Sequence, residues 1–296
     1  MKLVLCTRKS ALALAQSRAF ASKLKAAHPG LEIEELQVTT SGDKFAQERL
    51  QDIGGKGLFV KELEEALYDK RADFAVHSIK DVPAELAPGL ELACIPERED
   101  PRDVLVSRGD KSLADLPQGA RVGTSSMRRA LALREARPDL AIEALRGNVD
   151  TRLRKVDEGA LDAIVLALAG LKRLGRADRA SEILEVGVSL PAVGQGALGI
   201  ECRADDDRVK GALAALIHRE TSICVAAERA FMAAVGGSCR LPVAAHAKRD
   251  GSNMTIAAFV ADADGSRVRR GERLAPYPAD EAAAAALGSA LGRELA

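Results

Sequence analysis

The feature that most constrains the fold is a pattern that occurs twice, in which a short apolar strand runs directly into the hydroxyl and basic residues that begin a helix. Residues 3–10 (LVLCTRKS) show it first, and residues 122–129 (VGTSSMRR) repeat it. A second repeated pattern places a buried-strand signature, at residues 73–78 and again at 162–167, ahead of a polar or basic stretch. Strands that alternate with helical segments predict α/β units. We therefore expect an α/β protein with two related lobes.

The C-terminal part has a different order of elements. The pattern predicts an alanine-rich helix over residues 222–235, antiparallel strands over 243–260 and a closing helix over 280–295. This order fits a small third domain of the α+β class. Charge, proline and glycine cluster at residues 96–102 and 191–197, where we expect the chain to pass between lobes.

Positive and negative charges balance over the whole chain, but one segment has an excess of basic residues. The 43 basic and 43 acidic residues give no long-range attraction to nucleic acid or to an anionic membrane. Residues 121–155, however, contain nine basic and four acidic side chains. The sequence therefore predicts a local anion site and no nucleic-acid or membrane partner.

The cysteine content and the hydropathy of the sequence indicate the compartment in which the protein functions. Five widely spaced cysteines, without a C-x-x-C pair and with only four histidines, argue against a disulfide framework and against a metal site. The apolar run at the N-terminus is too short for a secretion signal, and no segment reaches the roughly 20 apolar residues that span a membrane. We expect a cytoplasmic monomer with reduced thiols.

The second lobe offers a helix start that is suited to anions. The first-turn N–H groups of a helix lack partners within the helix, and the helix dipole favours negative charge there. Ser126, Arg128 and Arg129 begin such a helix, and Arg146 and Arg152 follow. An arginine can bind a carboxylate through two parallel hydrogen bonds. A solvated basic face is the alternative, but these arginines follow strand ends and helix starts instead of one helical stripe.

The first lobe contributes a lysine and a carboxylate at a strand end. Lys80 and Asp81 follow a buried strand, which is where α/β sheets place ligands. A carboxylate flanked by cations would stay ionised and could hold or relay protons. A structural ion pair is the alternative. We interpret His77 as a packed histidine, because no second ligand lies at metal-binding spacing.

A glycine-rich turn near the C-terminal domain presents one thiol. In residues 236–242 (GGSCRLP), Cys239 lies beside Arg240, which could lower the pKa of the thiol. A buried, inert cysteine is one interpretation. A nucleophilic cysteine of a hydrolase is another, and it would need a histidine such as His218 or His246.

These residues belong to motifs that, in this order, resemble the porphobilinogen deaminase family over essentially the whole chain. The motifs lie at residues 7–10 (TRKS), 54–59 (GGKGLF), 77–83 (HSIKDVP), 98–103 (REDPRD), 122–129 (VGTSSMRR), 145–148 (LRGN) and 228–244. Seven motifs in family order are a specific match. The sequence departs from the family at Ser238, where many members have glycine, and at Leu241.

The resemblance implies a fold, a cofactor and an activity. It implies two lobes like those of type II periplasmic binding proteins: lobe 1 over residues 1–98 and 197–216, lobe 2 over 99–196, and a C-terminal domain over 217–296. It also implies a dipyrromethane cofactor, made from two porphobilinogen units and joined to Cys239 by a thioether. Four further porphobilinogens would be condensed head to tail with loss of ammonia, and hydrolysis would release hydroxymethylbilane.

The resemblance also assigns roles to individual residues. Asp81 would be the catalytic carboxylate, hydrogen-bonded to pyrrole N–H groups and stabilising the cation that forms when ammonia leaves. Phe59 would stack on a pyrrole, with core packing as the alternative. Independently of the resemblance, the glycine-rich composition of residues 40–57 suggests a lid, with an ordered turn into the next helix as the alternative. The remaining residues expected to hold the acid side chains of cofactor and substrate are Arg8, Ser10, Lys80, Ser126, Arg128, Arg129, Arg146, Arg152 and Arg173.

One non-enzymatic interpretation competes with this one. Two lobes with anion sites at strand ends would also suit a solute-binding or effector-sensing protein. The lack of a secretion signal or DNA-binding motif counts against it, and the hydrolase interpretation lacks a supported histidine partner.

Overall fold

A computed structural model describes residues 1–41, 60–236 and 241–296, in which the strands form three separate sheets. The first sheet has the strand order β2-β1-β3-β10-β4, with β1, β2 and β3 parallel and β10 antiparallel to both of its neighbours. Its strands are β1 (Lys2–Arg8), β2 (Glu32–Val38), β3 (Phe74–Ser78), β4 (Leu90–Cys94) and β10 (Leu198–Arg203).

The second sheet repeats this topology. Its order is β7-β6-β8-β5-β9, again with three parallel strands and one strand, β5, antiparallel to its neighbours. The chain enters this sheet through residues 95–102 and leaves it through residues 184–197. Its strands are β5 (Asp103–Ser107), β6 (Arg121–Gly123), β7 (Ala141–Glu143), β8 (Ala163–Ala167) and β9 (Glu182–Ile183).

The third sheet is antiparallel and belongs to the C-terminal domain. Its strands β11 (Val243–Asp250), β12 (Asn253–Val260) and β13 (Arg269–Pro276) pair in chain order. The predicted fold class is confirmed in its two α/β lobes with mixed sheets and in its small α+β domain. Strand β13 was not predicted from the sequence. Its residues alternate between half-buried and exposed but show no apolar pattern.

Eight α-helices in the described residues cover the sheets. Three of them begin at a hydroxyl or amide side-chain cap, which explains why such residues stand at these positions. Ser10, Ser126 and Asn148 accept from the backbone N–H three residues further on. The helices are α1 (Ala11–Ala27), α2 (Lys61–Tyr68), α3 (Met127–Ala136), α4 (Val149–Asp157), α5 (Leu168–Arg173), α6 (Asp207–Leu213), α7 (Arg219–Ala234) and α8 (Glu281–Leu295).

Each part has its own aliphatic core. Leu3, Leu24 and Phe74 are fully buried in the first lobe, and Ile164 is fully buried in the second. In the C-terminal domain, helices α7 and α8 approach so closely that a Cβ atom at Gly288 would lie 1.9 Å from the carbonyl oxygen of Ala227. Glycine is therefore required at this helix crossing. No helix in the described residues is long and apolar enough to span a membrane.

A buried carboxylate joins the three parts at one point. Glu228 on α7 is completely buried and accepts hydrogen bonds from the Arg98 guanidinium at 2.6 and 3.2 Å. It also accepts from the backbone N–H of Gly194 at 2.7 Å and of Ala247 at 2.8 Å. Arg98 and Gly194 lie on the two segments that pass between the lobes, and Ala247 lies on β11. Glu228 therefore fixes the C-terminal domain to both passages.

Replacing this carboxylate should destabilise the protein strongly. We expect Glu228→Gln to lower the free energy of unfolding by about 3–5 kcal/mol, because the Arg98 charge would be left buried without its partner. Glu220→Gln is the matched control, since Glu220 lies on the same helix but is half exposed; it should cost less than about 1 kcal/mol. Calorimetry or denaturant unfolding would measure both, and a Glu228→Gln protein as stable as the control would contradict this account.

The same carboxylate predicts a pH dependence. The Arg98 and His246 charges and the hydrogen bonds outweigh the effect of burial and lower the pKa of Glu228 from 4.5 to about 2. A pKa that is lower in the folded state means that the carboxylate stabilises the protein above pH 4.5 and loses this effect as the pH falls towards 2. The free energy of unfolding should therefore decrease as the pH is lowered from 4.5 towards 2, and the decrease should be smaller in Glu228→Gln.

Candidate active site

A cleft between the two lobes brings together most of the predicted site residues of the first lobe. Its empty volume is about 640 Å³, with the open mouth included. The polar side chains that line it are Arg8, Ser10, Gln16, His77, Ser78, Lys80, Asp81 and Arg173.

Two parallel strands of the first sheet deliver their polar side chains to this cleft. Arg8 is the last residue of β1, and Ser10 caps α1 immediately after it. Strand β3, parallel to β1, ends at Ser78, and a short 3-10 helix (Ile79–Asp81) then presents the lysine and the carboxylate. Because the carboxyl ends of parallel strands meet at one edge of the sheet, these residues lie together.

Lys80 lines the cleft, and its side chain is exposed to solvent there. Loss of hydration lowers the pKa of Lys80 from 10.5 to about 8, and the neighbouring Asp81 carboxylate partly opposes this effect. Arg128 and Arg129 lower the pKa further, whereas Asp103 raises it. The charges of the second lobe therefore act on the lysine of the first.

The Asp81 side chain is exposed within the cleft. It follows Lys80 directly, and the backbone N–H of Val82 closes the turn by donating to Ile79 O at 3.0 Å. The carboxylate is therefore accessible to a bound molecule, as a catalytic group must be.

Of the arginines predicted in the second lobe, Arg173 lines the cleft, whereas Arg128, Arg129, Arg146 and Arg152 are not among the residues that line it. Arg173 ends α5 and donates to the carbonyl oxygen of Gly196 at 2.6 Å. Arg152 lies on α4 and donates to the carbonyl oxygen of Gly147 at 2.8 Å. Burial lowers the pKa of both guanidiniums, which are desolvated even without a bound anion. Arg146, also predicted here, is half-buried and follows β7 by three residues.

Arg128 and Arg129 are buried against one carboxylate. Asp103, with no exposed surface, accepts from Arg128 Nη1 at 2.7 Å and from Arg129 Nη2 at 2.7 Å. Ser189 and Gln195 donate to the same carboxylate at 2.7 and 2.8 Å. These bonds hold the pKa of Asp103 well below its usual range, although burial acts in the opposite direction. Two guanidiniums share one carboxylate, so a net positive charge remains.

Asp103 is the main residue of this region that the sequence analysis missed. Its two arginines are 25 and 26 residues away, and Gln195 is 92 residues away. The one available signal is an aspartate at the start of a strand whose other residues are all apolar or small. A charge in such a position requires buried partners.

His77 and His218 have hydrogen-bond partners among the described residues, whereas His246 Nδ1 has none there. His77 is buried and its Nε2 lies 2.9 Å from Glu201 Oε2, which confirms the packed interpretation. His218 caps α7, where its Nδ1 accepts from the N–H of Thr221. His246 Nδ1 lies 3.6 Å from Glu228.

Several predicted residues lie outside the described residues. These are Phe59, Ser238, Cys239 and Arg240, together with most of the proposed lid at residues 40–57. The segments that flank the cysteine are described: α7 ends at Ala234, and β11 begins at Val243.

Comparisons with known proteins agree along the whole chain. The model for "Porphobilinogen deaminase, dipyromethane cofactor binding domain" matches residues 3–211, and that for "Porphobilinogen deaminase, C-terminal domain" matches residues 222–296. A porphobilinogen deaminase from Sorangium cellulosum is 67% identical over 294 residues, covering 99% of this chain and 98% of the relative. One from Syntrophotalea carbinolica is 52% identical over 285 residues, covering 96% and 90%.

Among solved structures, the periplasmic aliphatic sulphonate binding protein SsuA from Escherichia coli matches 78% of this chain and 70% of its own. The identity is 14% and the TM-score is 0.43.

Proposed function

The chain belongs to the porphobilinogen deaminase family, and from this premise we propose which of its residues carry the reaction. The enzyme is a transferase that condenses four porphobilinogen molecules head to tail, with loss of ammonia, and releases hydroxymethylbilane by hydrolysis. Its first 211 residues include the domain that binds the dipyrromethane cofactor. The solute-binding alternative is therefore not needed.

The residues of the cleft fit such a cofactor. Pyrrole units with acetate and propionate side chains bring several negative charges, and Arg8, Lys80 and Arg173 line one cleft as their counterparts. Asp81, the single carboxylate among the described residues that line the cleft, suits the pyrrole N–H groups, which donate hydrogen bonds. When bound, the cofactor supplies the primer to which the substrate units are added.

We assign the holding of cofactor and substrate to separate sets of side chains. The cofactor would be attached through a thioether to Cys239 and held by Lys80, Asp81, Ser126, Arg128, Arg129 and Arg146. The substrate would be held by Arg8, Ser10, Phe59, Arg152 and Arg173.

Asp81 is proposed as the catalytic residue. Departure of ammonia from the aminomethyl carbon leaves a cation that is delocalised over the pyrrole ring, and a carboxylate beside the ring N–H stabilises that charge. The same carboxylate can accept the proton that the attacking carbon loses. The observation that carries this proposal is the position of Asp81 as an exposed carboxylate among the cations of one cleft.

The proposed units of function follow the sheets. Lobe 1 would comprise residues 1–98 and 197–216, lobe 2 residues 99–196, and the cofactor-carrying domain residues 217–296. Strand β10 supports the discontinuous first lobe because it pairs with β3 and β4.

We further propose a cytoplasmic monomer. The four described cysteines are buried free thiols, which suits a reducing compartment. The exposed large apolar side chains of the described residues are scattered, for example Tyr68 in the first lobe, Ile183 in the second and Leu274 in the C-terminal domain. Such scattering is normal for a surface without a permanent partner. Sedimentation of the purified protein at several concentrations would test the monomer.

The proposed substrate-binding role of Arg173 can be tested by comparing a substitution at Arg173 with one at the adjacent Lys172. We expect Arg173→Gln to raise KM for porphobilinogen about tenfold or more, because it removes a charge-assisted hydrogen bond to a carboxylate. Lys172→Gln is the control: Lys172 is exposed and pairs with Glu99 at 2.7 Å. It should change KM by less than about twofold. Steady-state kinetics would measure both, and equal effects of the two substitutions would argue against a substrate role for Arg173.

A further inference from the structure

Arg229 connects the C-terminal domain to the segment that follows the proposed catalytic carboxylate. It lies on α7, the helix that leads towards Cys239. Its Nη2 donates to the carbonyl oxygen of Pro83 at 2.9 Å and to that of Ala84 at 3.0 Å. These two residues follow Asp81 by two and three positions. One guanidinium nitrogen therefore holds two consecutive carbonyl groups next to the site.

The segment that Arg229 holds has little regular structure of its own. Residues 82–89 form neither helix nor strand, and β4 begins only at Leu90. Pro83 has no N–H group to donate, so its position depends on its carbonyl group and on its ring. Anchoring the carbonyl groups of Pro83 and Ala84 therefore restricts the backbone from Asp81 onwards.

The mostly apolar surroundings of Arg229 are unfavourable for a charged side chain that only stabilises the fold. Its side chain lines a cavity between the first lobe and the C-terminal domain whose other walls are mostly apolar, including Leu92, Ile95 and Val225. Burial lowers the pKa of Arg229, and the Glu201 carboxylate opposes this effect. Its Nη1 is buried and has no hydrogen-bond partner within the described residues. A desolvated cation with an unmet donor destabilises a fold, so a contact of this kind indicates a positional role.

We propose that Arg229 is a positioning residue that holds Asp81 in place from helix α7 of the C-terminal domain. This role rests on the proposed catalytic role of Asp81. Glu228, the preceding residue, fixes the same helix to the passages between the lobes. Through Arg229 and Glu228, helix α7 thus ties the segment after Asp81 to the passages between the lobes.

The test compares Arg229→Gln with Arg229→Lys and with a control arginine of the same helix. Arg219 donates to the carbonyl oxygen of Ala279 at 2.6 Å, within the C-terminal domain, and is exposed. In the cofactor-loaded enzyme we expect Arg229→Gln to lower kcat about tenfold with KM changed by less than twofold, and Arg229→Lys to recover part of the loss. Arg219→Gln should leave both constants within twofold of the parent. A contact that only stabilises the fold would lower the melting temperature without this split between kcat and KM.

A double substitution decides whether the effect passes through Asp81. The rate at which the first substrate unit is added would be measured by quenching and intact mass, in Arg229→Gln, Asp81→Asn and the double variant. We expect the Arg229 substitution to have no further effect once Asp81 is replaced. An equal loss in both backgrounds, or an Arg229→Gln kcat within twofold of the parent, would overturn the proposal.

The remaining outcomes are also decisive. If Arg229→Gln does not fold, Arg229→Lys takes its place, and an unchanged kcat in that variant would overturn the proposal. A normal rate in Asp81→Asn alone would instead remove Asp81 from the mechanism, which is a separate result.

Discussion

Asp81→Asn is expected to leave a folded, cofactor-loaded enzyme that turns over about 10²–10⁴ times more slowly. Asparagine matches aspartate in shape but lacks the charge that stabilises the cation formed when ammonia leaves. Asp81 is exposed in the cleft and raises the pKa of Lys80. The substitution should therefore also lower the pKa of Lys80 below about 8.

The measurement is product formation from porphobilinogen, with melting temperature and intact mass as checks on folding and loading. Asp207→Asn is a suitable control, because the Asp207 side chain is 92% exposed and lies outside the cleft. We expect the control to have full activity. Near-normal product formation by Asp81→Asn would remove this carboxylate from the mechanism.

Cys239→Ser should abolish product formation altogether. A thioether requires a thiolate nucleophile, and a serine hydroxyl does not ionise at neutral pH. The other four cysteines are poor candidates, because burial raises the pKa of Cys6, Cys94, Cys202 and Cys224 to about 12 each. Cys239 differs from these four in its sequence context, because Gly236 and Gly237 precede it and Arg240 follows it.

Cys94→Ala provides the matched control for this substitution. Cys94 is 1% exposed in the core of the first lobe, so its loss should reduce stability slightly and leave activity within about twofold of the parent. Consumption of porphobilinogen would be followed in both variants. Activity in Cys239→Ser would show that the primer is attached elsewhere.

The architecture was predictable because it depends on local patterns that occur twice. The strand-to-helix starts at Ser10 and Ser126 both form side-chain caps, and the strands before them lie in sheets of the same order. Strand β13 was not predictable in this way. It is an edge strand with one exposed face, so its register with β12 is fixed by pairing and not by an apolar alternation of its own.

Sequence reasoning named five of the residues that line the cleft, but not the long-range partners of the arginines; the five are Arg8, Ser10, Lys80, Asp81 and Arg173. Arg128 and Arg129 stand at a helix start, yet only the fold shows that they share Asp103. Arg229 is separated from Pro83 by 146 residues, and no local sequence pattern predicts a contact over that separation. Long-range partners depend on how the lobes and the third domain pack against one another. Local sequence patterns carry no information about that packing.

The intact mass of the purified enzyme tests the central claim, that Cys239 tethers a dipyrromethane primer, most directly. The claim predicts a covalent excess over the mass of the polypeptide equal to two porphobilinogens minus two ammonias, located on the peptide that contains Cys239. A mass equal to that of the polypeptide alone, in a protein that forms hydroxymethylbilane, would contradict it.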